Sequence, residues 1–352
     1  MEELSVRQRM EYLHQGKRID RVPLLTNATL FSGIFAGMSP EEYLCDAGNM
    51  YDAQEQTRAL FGCHGAPAFC HTNWLAECLG GVNHYEKTAW GFRVPRLDPV
   101  IRCQADAESF SPPEQLEDIP VLKLREQFIR ICQAHGRNTV GLMAGSALEI
   151  AAQITDMNLF LQWTLRRPEL ICHICDGVTR FLLRLIDSDI AQYGAEHCMG
   201  MFFYPLESRD IMSPKVLDRL SWPYIFGMHQ ALRERGVHVF QEHLCGSQNG
   251  NLPVFRQLGL PARTCFSLDE RTDLARAAAV LGKDYILAGN VSSHLLAAGT
   301  PGQVMDACRE ILAVGKRLEG GFILAPSCDL PPTTPPLNLY AMQRAVLNYG
   351  VY

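Results

Sequence analysis

No stretch of this chain approaches the ~18 consecutive apolar residues of a membrane span. The first residues, Met1 to Gln15, mix charged and apolar side chains and hold no secretory core, so a cytoplasmic protein without a membrane partner is expected. A basic excess is also missing. The formal charge of −6 argues against nucleic acid or an anionic membrane surface as the main partner. No strand–helix turn carries a glycine-rich dinucleotide fingerprint. Paired CxxC knuckles of the kind that hold a structural zinc are lacking. Neither an internal repeat nor a low-complexity linker interrupts the 352 residues.

What is present is an ordinary globular balance, 47% hydrophobic and 20% charged, with ample material for a core. The length suits one large α/β domain or two smaller ones. Cysteine is abundant, at 13. An odd count in a long chain with no export signal reads as reduced cytosolic thiols rather than a disulfide framework, most of them small buried hydrophobes.

Ser5 to His14 reads as a short amphipathic helix, and Val22-Pro23-Leu24-Leu25 as an extended segment. Ser39-Pro40-Glu41-Glu42 opens a helix expected to run to Phe61 and stop at Gly62. Residues 63–120 are irregular, with clusters around Trp74 and Trp90. From Pro120 the rhythm changes to short apolar runs separated by helical stretches. Strands are expected over Thr139–Ala144, Met199–Tyr204, Val237–His243, Arg263–Ser267, Tyr285–Ala288 and Gly321–Ala325. Helices are expected over Val121–His135, 147–191 with a break at Arg167-Pro168, Pro214–Arg235, 250–259, Asp273–Leu281, Pro301–Leu318 and Pro335–Asn348. This is the pattern of a parallel sheet built of βα repeats. With early strands near 22–25 and 90–95 the count comes close to eight. The fold expected first is α/β, a (β/α)8 TIM barrel with N-terminal helical and irregular additions; an open doubly wound sheet is second. It forms a single domain over 1–352, with a covering region about 26–120.

In a βα barrel the chemistry lies where strands end and helices have not begun. Those positions carry Tyr204 and Glu207, His243 and Cys245, Ser267 and Asp269, Asn290, and Cys328. His243 and Cys245 are two residues apart, so in an extended segment both leave the same face. Two readings are open for that pair alone: buried core residues, or ligands of a soft or borderline metal. Cys328, at a matching strand end, supplies a third ligand of the same kind. Three protein ligands with an open position describe a catalytic zinc better than a structural one. Two thiolates and an imidazole make the zinc a modest Lewis acid toward water but suit it to binding a thiol as thiolate, which favours alkyl transfer to sulfur over hydrolysis. Cys172 and Cys175 fall within a helical stretch, and His197-Cys198 precedes a strand at its N-terminal end; both read as structural. Cys63-His64 and Cys70-His71 fall in the irregular region. Asp269 and Asn290 read equally as helix caps or site residues.

The ordered set of motifs resembles the uroporphyrinogen decarboxylase-like superfamily, and more closely its zinc- and corrinoid-dependent methyltransferase branch. His243-Leu244-Cys245-Gly246 looks like the His-x-Cys pair of the methylcobamide:coenzyme M methyltransferases. Ser213-Pro214 with Trp222-Pro223-Tyr224, Ser267-Leu268-Asp269, Gly289-Asn290-Val291, Gly299-Thr300-Pro301, and Ala325-Pro326-Ser327-Cys328-Asp329 with Thr334-Pro335 and Asn338 are similar to its later segments. Two departures stand out. The third-ligand segment reads Pro-Ser-Cys where Gly-Cys is commoner. An arginine-rich substrate loop is replaced by Thr26-Asn27-Ala28-Thr29-Leu30-Phe31, which disfavours decarboxylation of a polycarboxylate.

The resemblance implies a TIM barrel with Zn2+ on His243, Cys245 and Cys328. It implies methyl transfer between a corrinoid, as methylcobalamin on a partner corrinoid protein, and a small molecule. A thiol acceptor activated as zinc thiolate fits first. The alternative is demethylation of a methoxylated aromatic or methylamine onto cob(I)alamin; a non-catalytic docking barrel is a third reading. Glu207, Ser267, Asp269, Asn290 and Tyr204 are held as a fourth ligand or substrate contacts. The sequence leaves the oligomeric state open, a homo-oligomer included.

Overall fold

The computed structural model describes residues 3–88, 91–92 and 94–352. Trp90, singled out above, lies outside the described residues. Six strands in chain order carry parallel pairings: β1 (Val140–Met143), β2 (Cys198–Phe203), β3 (Val239–Leu244), β4 (Cys265–Leu268), β5 (Ile286–Val291) and β6 (Phe322–Pro326). The chain divides into two compact units. The first comprises Met1–Cys70, Lys87–Phe92 and Gln241–Tyr352; the second comprises His71–Glu86 and Arg93–Phe240.

In the first unit β3, β4, β5 and β6 lie side by side in sequence order, all parallel. The register pairs His243 with Ser267, Ser267 with Ala288, and Asn290 with Ala325. Every residue of β4 and β6 is buried, as is all of β5 except Asn290, so these strands are covered on both faces. That is why they read as continuous apolar runs rather than alternating ones. Phe266 and Phe322 are fully buried, each worth roughly 1.5–3 kcal/mol of transfer free energy. The extended segment expected near 22–25 runs beside β6. Leu24 forms a parallel bridge to Leu324, Leu25 N–H donates to Leu324 O at 2.9 Å, and Leu324 N–H donates to Pro23 O at 2.9 Å. The helices between and after these strands are Leu252–Gln257, Leu274–Leu281, Ser293–Ala298, Pro301–Gly315 and Pro336–Tyr349. Helix Pro301–Gly315 starts where Thr300 and Gln303 form a reciprocal capping box with Pro301 behind the cap.

A buried ion pair closes the N-terminal end of this unit. Arg9, on helix Val6–His14, is 4% exposed and donates to both oxygens of Asp20, at 2.7 and 2.8 Å. Burial would raise the Asp20 carboxyl, but Arg9's hydrogen bonds and charge outweigh it and hold the group at about 2. His64 Nε2 lies 2.9 Å from Arg9 Nη1. Burial, then the charge of Arg9, bring the His64 imidazole down to about 4.

The second unit pairs β1 with β2 in parallel and packs them with helices Pro120–Ala134 and Pro168–Tyr193. Arg125 fastens these parts. It grips Asp189 at 2.9 and 2.8 Å and reaches Gly141 O on β1 at 3.0 Å. Trp74 is buried, with the Arg125 guanidinium 5.4 Å from its ring centroid.

Five expectations need correcting. The helical stretch expected over 147–191 breaks at Thr155-Asp156 as well as at Arg167-Pro168, because Asp156 caps a new start by accepting from Asn158 and Leu159 N–H. The described residues near 90–95, Gly91–Phe92, pair antiparallel with Lys87–Thr88 and do not form a parallel strand. The single helix from Ser39 is two, Pro40–Leu44 and Ala47–Phe61, because Asp46 caps a new start by accepting from Asn49 N–H at 2.8 Å. Helix Pro214–Arg235 is broken at Ser221. The strand placed from Val237 begins at Val239, and His238 and Val239 are exposed.

Candidate metal centre at the strand ends

β3 delivers His243 in its last turn of pleat and Cys245 just past its end. His243 is 5% exposed; Cys245 and Cys328 are half-buried. The ligand atoms of His243, Cys245 and Cys328 all lie within 4.8 Å of one another. Geometry therefore brings together the three residues that the sequence offered as candidate ligands.

The surrounding loops hold this trio by hydrogen bonds from several segments. Gly246, with φ of 69°, turns the chain away directly after Cys245 in a conformation that favours glycine. The buried Gln248 donates to Cys245 O at 2.7 Å, and its own N–H donates to Thr272 Oγ1 at 2.9 Å. Thr272 Oγ1 in turn donates to Gly246 O at 3.0 Å. Asn290 Nδ2 donates to Asp269 O at 3.2 Å and Thr272 O at 3.1 Å. Asn290 thus braces the loop that braces Cys245. Cys328 follows Ser327, whose N–H donates to Val291 O at 2.8 Å and whose hydroxyl accepts from Ser293 N–H at 3.1 Å. The serine in the Pro-Ser-Cys variant is therefore used to dock the third-ligand loop onto the start of helix Ser293–Ala298.

Electrostatics separate Cys328 from the other thiols. Burial pushes Cys63 and Cys198 up to about 11, and Cys265 and Cys308 up to about 12. Hydrogen bonds from Cys245, and secondarily from His243 against the opposing effect of burial, hold Cys328 well below the ordinary thiol range. Asp329 is raised to about 6, first by its enclosure in protein and then by the charge of Cys328, against the hydrogen bond from Thr29.

The other candidates take distinct places. Ser267 Oγ lies 3.1 Å from His243 Nδ1, so it orients the imidazole. Asp269 accepts from Arg271 N–H at 2.9 Å and from its Nε at 3.2 Å. Tyr204 and Glu207 belong to the second unit and are fully buried there. Glu207 Oε1 accepts from the hydroxyls of Ser146 and Ser221. Sequence reasoning missed Glu149, on helix Ala147–Ile154, whose carboxyl is pushed up to about 8 by burial and then by the charge of Glu207. It also gave no role to Thr29, whose hydroxyl donates to Asp329 Oδ2 at 2.6 Å. Asp329's position beside Cys328 was the available signal.

The donor set fits zinc. Sulfur and imidazole ligands at about 2.3 and 2.0–2.1 Å from a tetrahedral zinc stand about 3.5–3.8 Å apart, inside the observed limit of 4.8 Å. Ser267 engages His243 Nδ1, and the hydrogen bonds at Cys328 favour the thiolate form that a metal requires.

Among curated proteins, a methylcobamide:CoM methyltransferase MtbA from Methanosarcina acetivorans is 27% identical over 146 residues, 41% of this chain and 40% of the relative. A methylcobamide:CoM methyltransferase MtaA from Methanosarcina barkeri is 25% identical over 208 residues, 58% of this chain and 57% of the relative. The matched segments thus span less than two thirds of either relative. Among solved structures, a methyltransferase from Methanosarcina mazei superposes with a TM-score of 0.78 at 20% identity, covering 99% of both chains. That likeness shows the fold, an α/β TIM barrel. The uroporphyrinogen decarboxylase (URO-D) model matches residues 6–349, and the chain belongs to that family.

Proposed function

We propose that this protein is a zinc-dependent methyltransferase that moves a methyl group between a corrinoid on a separate protein and a small molecule, with a thiol as the acceptor. The observation that carries this reading is the convergence of His243, Cys245 and Cys328, from two separate strand ends, with ligand atoms within 4.8 Å. The curated relatives that share sequence with the chain are methylcobamide:CoM methyltransferases, which supports the same chemistry. When bound, zinc supplies the Lewis acidity that makes a thiol a thiolate at neutral pH.

The chain's own residues supply placement. Ser267 orients the His243 ring, Gln248 and Thr272 hold the Cys245 backbone, and Ser327 anchors the Cys328 loop. Such rigidity suits alkyl transfer, where the sulfur must be held in line with the methyl group. Two ligand thiolates and a neutral imidazole, from Cys245, Cys328 and His243, would cancel the charge of a bound zinc.

The test is metal analysis of the purified protein, followed by the absorbance of methylcobalamin with a panel of thiols. One zinc per chain and thiol-dependent loss of methylcobalamin are expected. A metal-free protein that leaves methylcobalamin unchanged with every thiol, and cob(I)alamin unchanged with every methyl donor, overturns the reading.

A further inference from the structure

We propose that the small molecule accepted at this centre is a thiol carrying a protonated amine, and that Asp329 is the specificity-determining residue that receives its positive charge. The inference rests on the methyl-transfer reading above and narrows its substrate class.

Asp329 directly follows the ligand Cys328 in the loop after β6. Protein packs closely around the Asp329 side chain, yet the residue still reaches solvent, and its position is set from two sides. Thr29 Oγ1 donates to Oδ2 at 2.6 Å, and the next residue is pinned by Leu330 N–H donating to Asn27 O at 2.8 Å. Thr29 is held in turn, because the buried Tyr43 hydroxyl donates to Thr29 O at 2.6 Å. Oδ1 has no hydrogen-bond partner among the described residues, and no cationic side chain pairs with Asp329. A fixed, solvent-reachable carboxylate oxygen beside the ligand trio is a receptor for a cation.

The charge around it points the same way. The loops that follow the strands of the first unit are residues 26–28, 245–251, 269–273, 292 and 327–335. Their acidic side chains are Asp269, Glu270, Asp273 and Asp329; their basic side chain is Arg271. Arg271 Nε is already directed at Asp269, 3.2 Å away. An anionic tail, such as a sulfonate or carboxylate, finds no uncommitted counter-charge in these loops and is repelled by Asp329. An ammonium tail on the same thiol finds a partner. Discrimination of this sort works by repelling the wrong charge as much as by attracting the right one.

The experiment uses the full-length zinc-loaded protein and three thiols of matched length: 2-aminoethanethiol, 2-mercaptoethanol and 2-mercaptoethanesulfonate. Methylcobalamin consumption gives kcat/KM for each. Zinc content is measured in parallel for wild type, Asp329→Asn and Asp329→Lys. Because the thiols differ in acidity, the reading is the change in their ratio between proteins, not the ratio itself. The expected result is an amine-over-sulfonate preference that falls about tenfold in Asp329→Asn, as loss of one partly enclosed ion pair implies, and that reverses in Asp329→Lys, with zinc retained in both. An unchanged ratio in both variants overturns the proposal while leaving the methyl-transfer reading intact. Loss of zinc in Asp329→Asn, with the wild-type ratio restored by excess zinc, also overturns it, since Asp329 then only positions Cys328. If no thiol consumes methylcobalamin in the wild type, the methyl-transfer reading itself fails and the proposal falls with it.

Discussion

Ser267 Oγ stands 3.1 Å from His243 Nδ1, across the parallel register that sets these two residues side by side on β3 and β4. The contact engages Nδ1 and orients the ring. Outer hydrogen bonds of this kind typically govern metal affinity by about 10–100-fold. Ser267→Ala is expected to weaken zinc binding by about that factor, read by competition with a chromophoric chelator, while the far-UV circular dichroism stays unchanged. Equal affinity in the variant would mean that the ring is held by packing alone.

Cys328→Ala removes the proposed ligand that arrives from β6, a thiol held below the ordinary thiol range. Zinc is expected to be lost from the variant on gel filtration, as measured by metal analysis. Cys308→Ala, which alters a fully buried thiol on helix Pro301–Gly315, is expected to keep its zinc. Full zinc in Cys328→Ala would show that another residue is the third ligand.

The Glu149 carboxyl gives the stability a pH dependence with a definite sign. Its unfolded value is near the ordinary 4.5, and burial followed by the charge of Glu207 places the folded value at about 8. The folded state therefore holds more protons than the unfolded state across that interval, so stability falls as pH rises from about 4.5 to about 8. Melting temperatures at pH 5 and pH 8.5 should differ in that direction. Glu149→Gln should flatten part of the difference; Glu207, which burial also raises, acts in the same direction. A wild-type slope unchanged in Glu149→Gln would assign the effect elsewhere.

Asp20 behaves in the opposite sense. Its folded value of about 2 lies below the ordinary 3.8, so its contribution is fully present above about pH 4 and is lost as pH falls toward 2. Asp20→Asn leaves the Arg9 guanidinium buried without its carboxylate, at a cost of about 3–5 kcal/mol. Urea titration at pH 7 measures that loss. The variant should also show a shallower decline in stability between pH 4 and pH 2.

Much of the fold was legible because the strands are buried on both faces. Continuous apolar runs such as Phe322–Pro326 stand out from the helical periodicity around them. Helix boundaries were legible where chemistry marks them, as at Pro168 and at the Thr300-Pro301 cap. They were missed where a second signal sits inside a helical pattern. Asp46 and Ser221 interrupt segments that propensity alone would continue.

The chain's own order of residues determined the ligand types and their spacing. A histidine and a cysteine two apart at a strand end, and a cysteine at a later strand end, follow from apolar patterning and the period of a strand. Only tertiary structure decided that the three converge, that Ser267 turns the imidazole, and that Thr29 meets Asp329 across 300 residues of chain. The physical reason is that a hydrogen bond between distant segments leaves no periodic trace in sequence. It is set by the register of neighbouring strands and the path of the loops, which exist only once the parallel sheet has formed.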